Sequence, residues 1–126
     1  MVDAEFVVPW IRRAENDMSS ARHLAETMRP APAEIICFHC QQSAEKYLKA
    51  PYNDEEPSKT HDLTELVKLC RNFNPDFSLL TAKCGYLTPF AVRTRYPGAS
   101  DPSDDDMKTA LAYAGDIAEF VKGKLP

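Results

Sequence analysis

Four side chains at helical spacing carry the densest hydrogen-bonding chemistry in this chain. His39, Gln42, Lys46 and Lys49, counted at about 100° per residue, fall within about a quarter-turn of one helix. An imidazole, an amide and two ammonium groups at successive turns form a polar, partly basic stripe. Such a stripe suits a phosphate chain or an acidic partner, and His39 can take or give a proton near neutral pH. It is also what any surface helix shows opposite its core face. His61, following Thr60 where another helix is expected to begin, is a second candidate base, because the positive end of a helix dipole disfavours an imidazolium. Its alternative role is to cap or pack, fixing the loop after Pro57. Arg93, Arg95 and Tyr96, in "AVRTRYPG", form a third group. Guanidinium forks suit phosphate or carboxylate, and the plainer reading is two salt-bridging surface arginines beside a packed tyrosine.

Other chemistries find less support. "CFHC" has the look of a metal half-site, but on a helix Cys37 and Cys40 share one side and His39 points away from them. A structural zinc site needs two more ligands, and Cys70 and Cys84 stand singly at core positions of other helices. The four cysteines are therefore expected to be buried, unbridged thiols, with no metal. Asp104, Asp105 and Asp106 could hold a cation, yet a capped helix start accounts for them. The four glycines, at positions 85, 98, 115 and 123, make no phosphate loop, and there is no nucleophile elbow. No cofactor is expected.

Five segments of helical periodicity must position these groups, with breaks at Arg29–Pro32, Pro51–Pro57, Phe73–Pro75 and Tyr96–Pro102. The first carries Val7, Ile11, Ala14, Met18, Ala21, Ala25 and Met28 on one side. The second places Ile36, Cys37, Cys40, Ala44, Tyr47 and Leu48 inward and ends at Pro51. The third starts at Thr60 as N-cap, with Leu63, Leu66, Val67, Cys70 and Phe73 inward; the fourth runs from Phe77 to Ala91 and is bent or stopped by Pro89. In the last, Ser103 caps a helix whose first turn holds three aspartates and whose stripe is Met107, Ala110, Leu111, Ala114, Ile117, Ala118 and Val121. No segment alternates with a period of two. The expectation is an all-α fold, an antiparallel four-helix up-and-down bundle with an additional fifth helix, in one domain over residues 1–126.

The bulk properties agree. A chain of 126 residues, 44% hydrophobic and 27% charged, can bury a core without disulfides or metal. No run approaches the roughly 18 apolar residues of a membrane span, and the first residues lack a basic-then-apolar signal layout, so no membrane association is expected and the cytoplasm is the expected location. A net charge of −4 argues against nucleic-acid binding over the whole surface and leaves room for a local basic face.

The segments "WIRRAENDMSSARHL", "CFHCQQSAEKYLKA", "KTHDLTELVKLC" and "RTRYPG", in that order and followed by an acidic helix start, resemble the HEPN domain family of prokaryotes. The resemblance implies a four- or five-helix bundle, a homodimer, a minimal nucleotidyltransferase as partner in a toxin–antitoxin-like pair, and either nucleotide binding or RNA cleavage. Active HEPN ribonucleases carry an arginine, roughly four to six spacers and a histidine. Here Arg95 is followed at that distance by Ser100, Asp101 and Pro102, and no histidine occurs after His61. The acid or base for a ribose 2′-hydroxyl is therefore missing from its usual place. The expected function is a non-catalytic module that binds nucleotide or RNA phosphate through His39, Gln42, Lys46, Lys49, His61, Arg93, Arg95 and Tyr96, with the helix-two residues, His61 and Arg95 sharing one groove. The alternatives are a metal-independent endoribonuclease using Arg95 with His39 or His61, and a pure protein-interaction module.

Overall fold

Spacings of three and four along the first segment produce a helix with one buried side. In the computed structural model, which describes residues 4–51, 59–93 and 101–125, α1 spans Ala4–Thr27 and buries Val7, Ala14, Met18 and Ala21. After a short connection α2 spans Ala33–Lys49 and packs along α1, which makes the two antiparallel neighbours. α3 spans Leu63–Cys70; a 3₁₀ helix, Pro75–Leu80, leads into α4, Thr81–Leu87; α5 spans Phe90–Arg93; and α6 spans Asp104–Lys124. Among the described residues there is no strand, so the fold is an all-α bundle. No helix among them is long and apolar enough to cross a membrane.

Some details differ from expectation. Met28 and Phe73, expected on inward stripes, lie beyond the ends of α1 and α3 and are exposed. The third and fourth segments are short pieces, because Pro75 sets a 3₁₀ start and Pro89 separates α4 from α5. The N-cap of α3 is Asp62: its carboxylate accepts from the Thr64 backbone N–H at 2.9 Å, while the Thr60 hydroxyl accepts from the Asp62 N–H at 3.1 Å.

α2 lies at the centre, in contact with α1 on one side and α6 on another, and with α3, α4 and α5. Ile36, Cys37, Cys40, Ala44, Tyr47 and Leu48 are buried as the stripe requires, and so are Gln41, Ser43, Glu45 and Lys49. The Ser43 hydroxyl donates to the Ala14 carbonyl at 2.9 Å and joins α2 to α1 without a water-exposed partner. Cys37, Cys40, Cys70 and Cys84 are all buried and none is bridged. Burial pushes the Cys40, Cys70 and Cys84 thiols up to about 12, which keeps them protonated and poor as nucleophiles or ligands.

α6 begins as its sequence dictates. Ser103 Oγ accepts from the Asp106 N–H at 3.0 Å, and the Asp106 carboxylate accepts from the Ser103 N–H at 2.9 Å, a reciprocal capping box. Ser103→Ala removes one half of it and is expected to cost about 1 kcal/mol. A thermal melt should show the midpoint falling by roughly 3–5 °C; an unchanged midpoint would deny the cap its role.

Candidate functional site

The polar residues of α2 divide between two carboxylates. Toward α1, Asp17 takes His39 and Lys46 together: His39 Nδ1 lies 3.1 Å from Oδ1, and the Lys46 ammonium is hydrogen-bonded to Oδ2. Toward the start of α3, Glu45 receives three groups. Lys49 Nζ stands 3.1 Å from Oε2, while His61 Nδ1 at 2.8 Å and Gln41 Nε2 at 3.3 Å both meet Oε1. Gln41 Nε2 also donates to the His61 carbonyl at 3.0 Å, and Gln42 Nε2 donates to Gln41 Oε1 at 2.7 Å. Gln42, Lys49 and His61 thus belong to one connected network, and His39 and Lys46 to the other.

Burial sorts these groups further. Glu45 is 5% exposed and Lys49 only 7%, whereas the His61 side chain is 61% exposed. The expectation of Lys49 on a solvated stripe is corrected: α2 has neighbours around most of its circumference, and the Lys49 ammonium is used inside to compensate Glu45. Burial pushes the Glu45 carboxyl up, but the hydrogen bonds from His61, Lys49 and Gln41 outweigh it and hold the group below its ordinary 4.5.

In both histidines it is Nδ1 that faces a carboxylate. In the tautomer that donates Nδ1–H, the lone pair sits on Nε2, where a substrate proton could be taken. Lys46 and His39, on the Asp17 side, are partly exposed and within reach of an anion. Arg93 closes α5, and its side chain, like Arg95 and Tyr96, lies outside the described residues, as does the meeting of Arg95 with His39 in one groove. Among the described residues no three His, Cys, Asp or Glu side chains converge as a metal site would need.

Asp17, Gln41 and Glu45 belong to the candidate site and are residues that stripe reasoning passes over. Gln41, Glu45 and Lys49 do carry a signal, a ladder with four-residue steps that stacks amide, carboxylate and ammonium on one helix edge.

This arrangement sits inside a chain whose residues 7–124 match the model of the HEPN domain. The chain belongs to the HEPN domain family. Among solved structures, the bundle is similar to the crystal structure of TT1696 from Thermus thermophilus, with a TM-score of 0.74 and 23% sequence identity, over 94% of this chain and 98% of that one. At that identity the likeness bears on the fold. No curated protein matches the chain. For a HEPN domain with this site, the family supports a nucleotide- or RNA-related role or one in protein interaction.

Proposed function

We propose that this HEPN chain is a non-catalytic module that binds the phosphates of a nucleotide or RNA along α2, as a homodimer working with a minimal nucleotidyltransferase subunit in a toxin–antitoxin-like pair. The observation that carries the reading is the Asp17 cluster. Lys46 and His39 are fixed side by side on one carboxylate, at the partly open edge of α2, so little side-chain entropy remains to be lost when a phosphate docks. With His39 neutral the cluster has no net charge, and with His39 protonated it carries one positive charge. Apolar side chains left at the surface, among them Phe6, Val8, Ile35 and Leu79, supply area for a second subunit.

A second reading follows from the Nδ1–carboxylate geometry, which is the orientation a general base needs: a metal-independent endoribonuclease using His39 with Arg95. One experiment separates the two. Labelled short RNA is incubated with the purified chain in chelator and followed both for retention and for cleavage. Retention of intact RNA is expected. Cleavage that is lost in Arg95→Ala and in His39→Ala would replace the binding module with the nuclease, and neither retention nor cleavage would leave only the interaction module.

A further inference from the structure

Away from the Asp17 and Glu45 clusters, α1 and α6 both pack on α2 but touch each other little, which leaves a groove of about 350 Å³ between them. Tyr47 of α2 forms part of its floor. That side chain is 1% exposed, yet its hydroxyl makes no hydrogen bond among the described residues, whereas buried hydroxyls are almost always paired. Burial pushes the hydroxyl up to about 12; Glu15 adds to the rise and Arg22 opposes it, so the hydroxyl end lies near both of these groove residues. The floor of the groove thus presents a hydrogen-bonding group to whatever enters.

The charges around it are sorted by sign. At one end Arg22 reaches α6 at Gly115, where an added Cβ would stand 3.6 Å from its Nη2. The nearby carboxylate of Asp116 is taken by Lys83 at 2.9 Å, so this end carries one unmatched positive charge. At the other end Glu15 and Lys122 border an adjoining groove, and Glu119 stands three residues before Lys122 on α6. Two carboxylates and one ammonium leave this end with one negative charge. Among the described residues none of Glu15, Arg22, Glu119 and Lys122 is in an ion pair; Lys122 holds its ammonium 5.9 Å from the centre of the Tyr47 ring. Glu119 lies four residues from Gly115 and Glu15 seven from Arg22. At about 1.5 Å of rise per residue, the two ends are about 6–10 Å apart.

A phosphate or other pure anion would meet the Glu15 and Glu119 carboxylates, and a polyamine would meet Arg22. The complement of the groove is a molecule with an anion at one end and a cation at the other. A single free amino acid, its charges about one residue apart, is too short, whereas the termini of an extended di- or tripeptide lie about 7–10 Å apart. We propose that the α1–α6 groove binds a free di- or tripeptide, its terminal carboxylate held by Arg22 and hydrogen-bonded by the Tyr47 hydroxyl, its terminal ammonium held by Glu15 and Glu119. The adjoining groove of about 520 Å³, to which Val7, Val8 and Ile11 contribute an apolar wall, opens from the ammonium end and receives the first side chain. This site is separate from the phosphate reading of α2 and does not depend on it.

The test is calorimetric titration of trialanine, its N-acetylated form, its C-terminal amide and free alanine into the full chain. The same titrations are made on Arg22→Gln, on the double variant Glu15→Gln with Glu119→Gln, on Tyr47→Phe and on Lys46→Ala. Trialanine should bind the wild-type chain at least about tenfold tighter than each of the other three molecules. Arg22→Gln should weaken trialanine by about tenfold and leave it no tighter than the amide, since the group that reads the carboxylate is gone. The double variant should likewise erase the preference for the free over the acetylated peptide. Tyr47→Phe should weaken trialanine and leave the melting midpoint unchanged or raised, because it deletes a hydroxyl that has no partner to lose; a lowered midpoint would assign the hydroxyl to the fold and overturn its role here. Equal binding of free and capped peptides, a preference for the free carboxylate that survives Arg22→Gln, or no binding of any of the four molecules overturns the assignment. Lys46→Ala should weaken RNA and leave trialanine unchanged, so the two readings fail separately; loss of trialanine in that variant would place the peptide on α2 and overturn the groove.

Discussion

Glu45→Gln is expected to lower stability by about 3 kcal/mol, seen as a fall of roughly 10 °C in the melting midpoint. The variant keeps the shape of the side chain and deletes its charge, so the Lys49 ammonium stays buried without its counterion. The new amide NH2 takes the place of one oxygen and would face either the Lys49 ammonium or the Gln41 and His61 groups. Lys49→Met on the Glu45→Gln background should recover part of the loss, since a buried ion pair can be exchanged for apolar packing once both charges go. The pH dependence has a definite sign. Because the folded Glu45 carboxyl titrates below its ordinary 4.5, the unfolded chain binds that proton first as the solution is acidified. Its stabilisation is full above about 4.5 and is lost as pH falls through the lower folded value. Wild-type stability should decline across that range, and Glu45→Gln should lack that part of the slope. A variant as stable as wild type at pH 7 would show that the network does not hold α2 to the start of α3.

Ser103 and the three aspartates mark the start of α6 with purely local chemistry, a hydroxyl and carboxylates beside free amides, and the structure has that cap as expected. The inward stripes of α1, α2 and α6 and the burial of all four cysteines are legible for a similar reason, because period and residue type report the buried side directly. The polar centre is not. Glu45, Gln41 and Ser43 look like any solvated helix residues until α1 and α3 are placed against the flanks of α2, and that placement is tertiary. Lys49 reads as part of the outer stripe for the same reason. At α3 the competition is local: Thr60 and Asp62 are both cap formers, and Asp62 prevails because it stands immediately before Leu63, the first buried residue of the helix.

The second large effect concerns binding. Lys46→Ala should weaken short RNA by about 5- to 150-fold, the equivalent of roughly 1–3 kcal/mol, since it removes one charge-assisted phosphate contact. Asp17→Asn should act in the opposite direction: the amide oxygen can still hold one of the two groups in place, while loss of the carboxylate raises the local charge by one. The stability cost should be small in both cases, because this pair is partly exposed to solvent. A merely structural role for the cluster predicts that both substitutions harm binding, so the opposite signs distinguish recognition from architecture.

The most direct measurement is the salt dependence of RNA affinity for the wild-type chain and for Lys46→Ala. A phosphate contact made by Lys46 releases counterions, so the slope of log affinity against log salt should be shallower in Lys46→Ala by roughly 0.7. Identical slopes and affinities in the two proteins would contradict phosphate binding along α2.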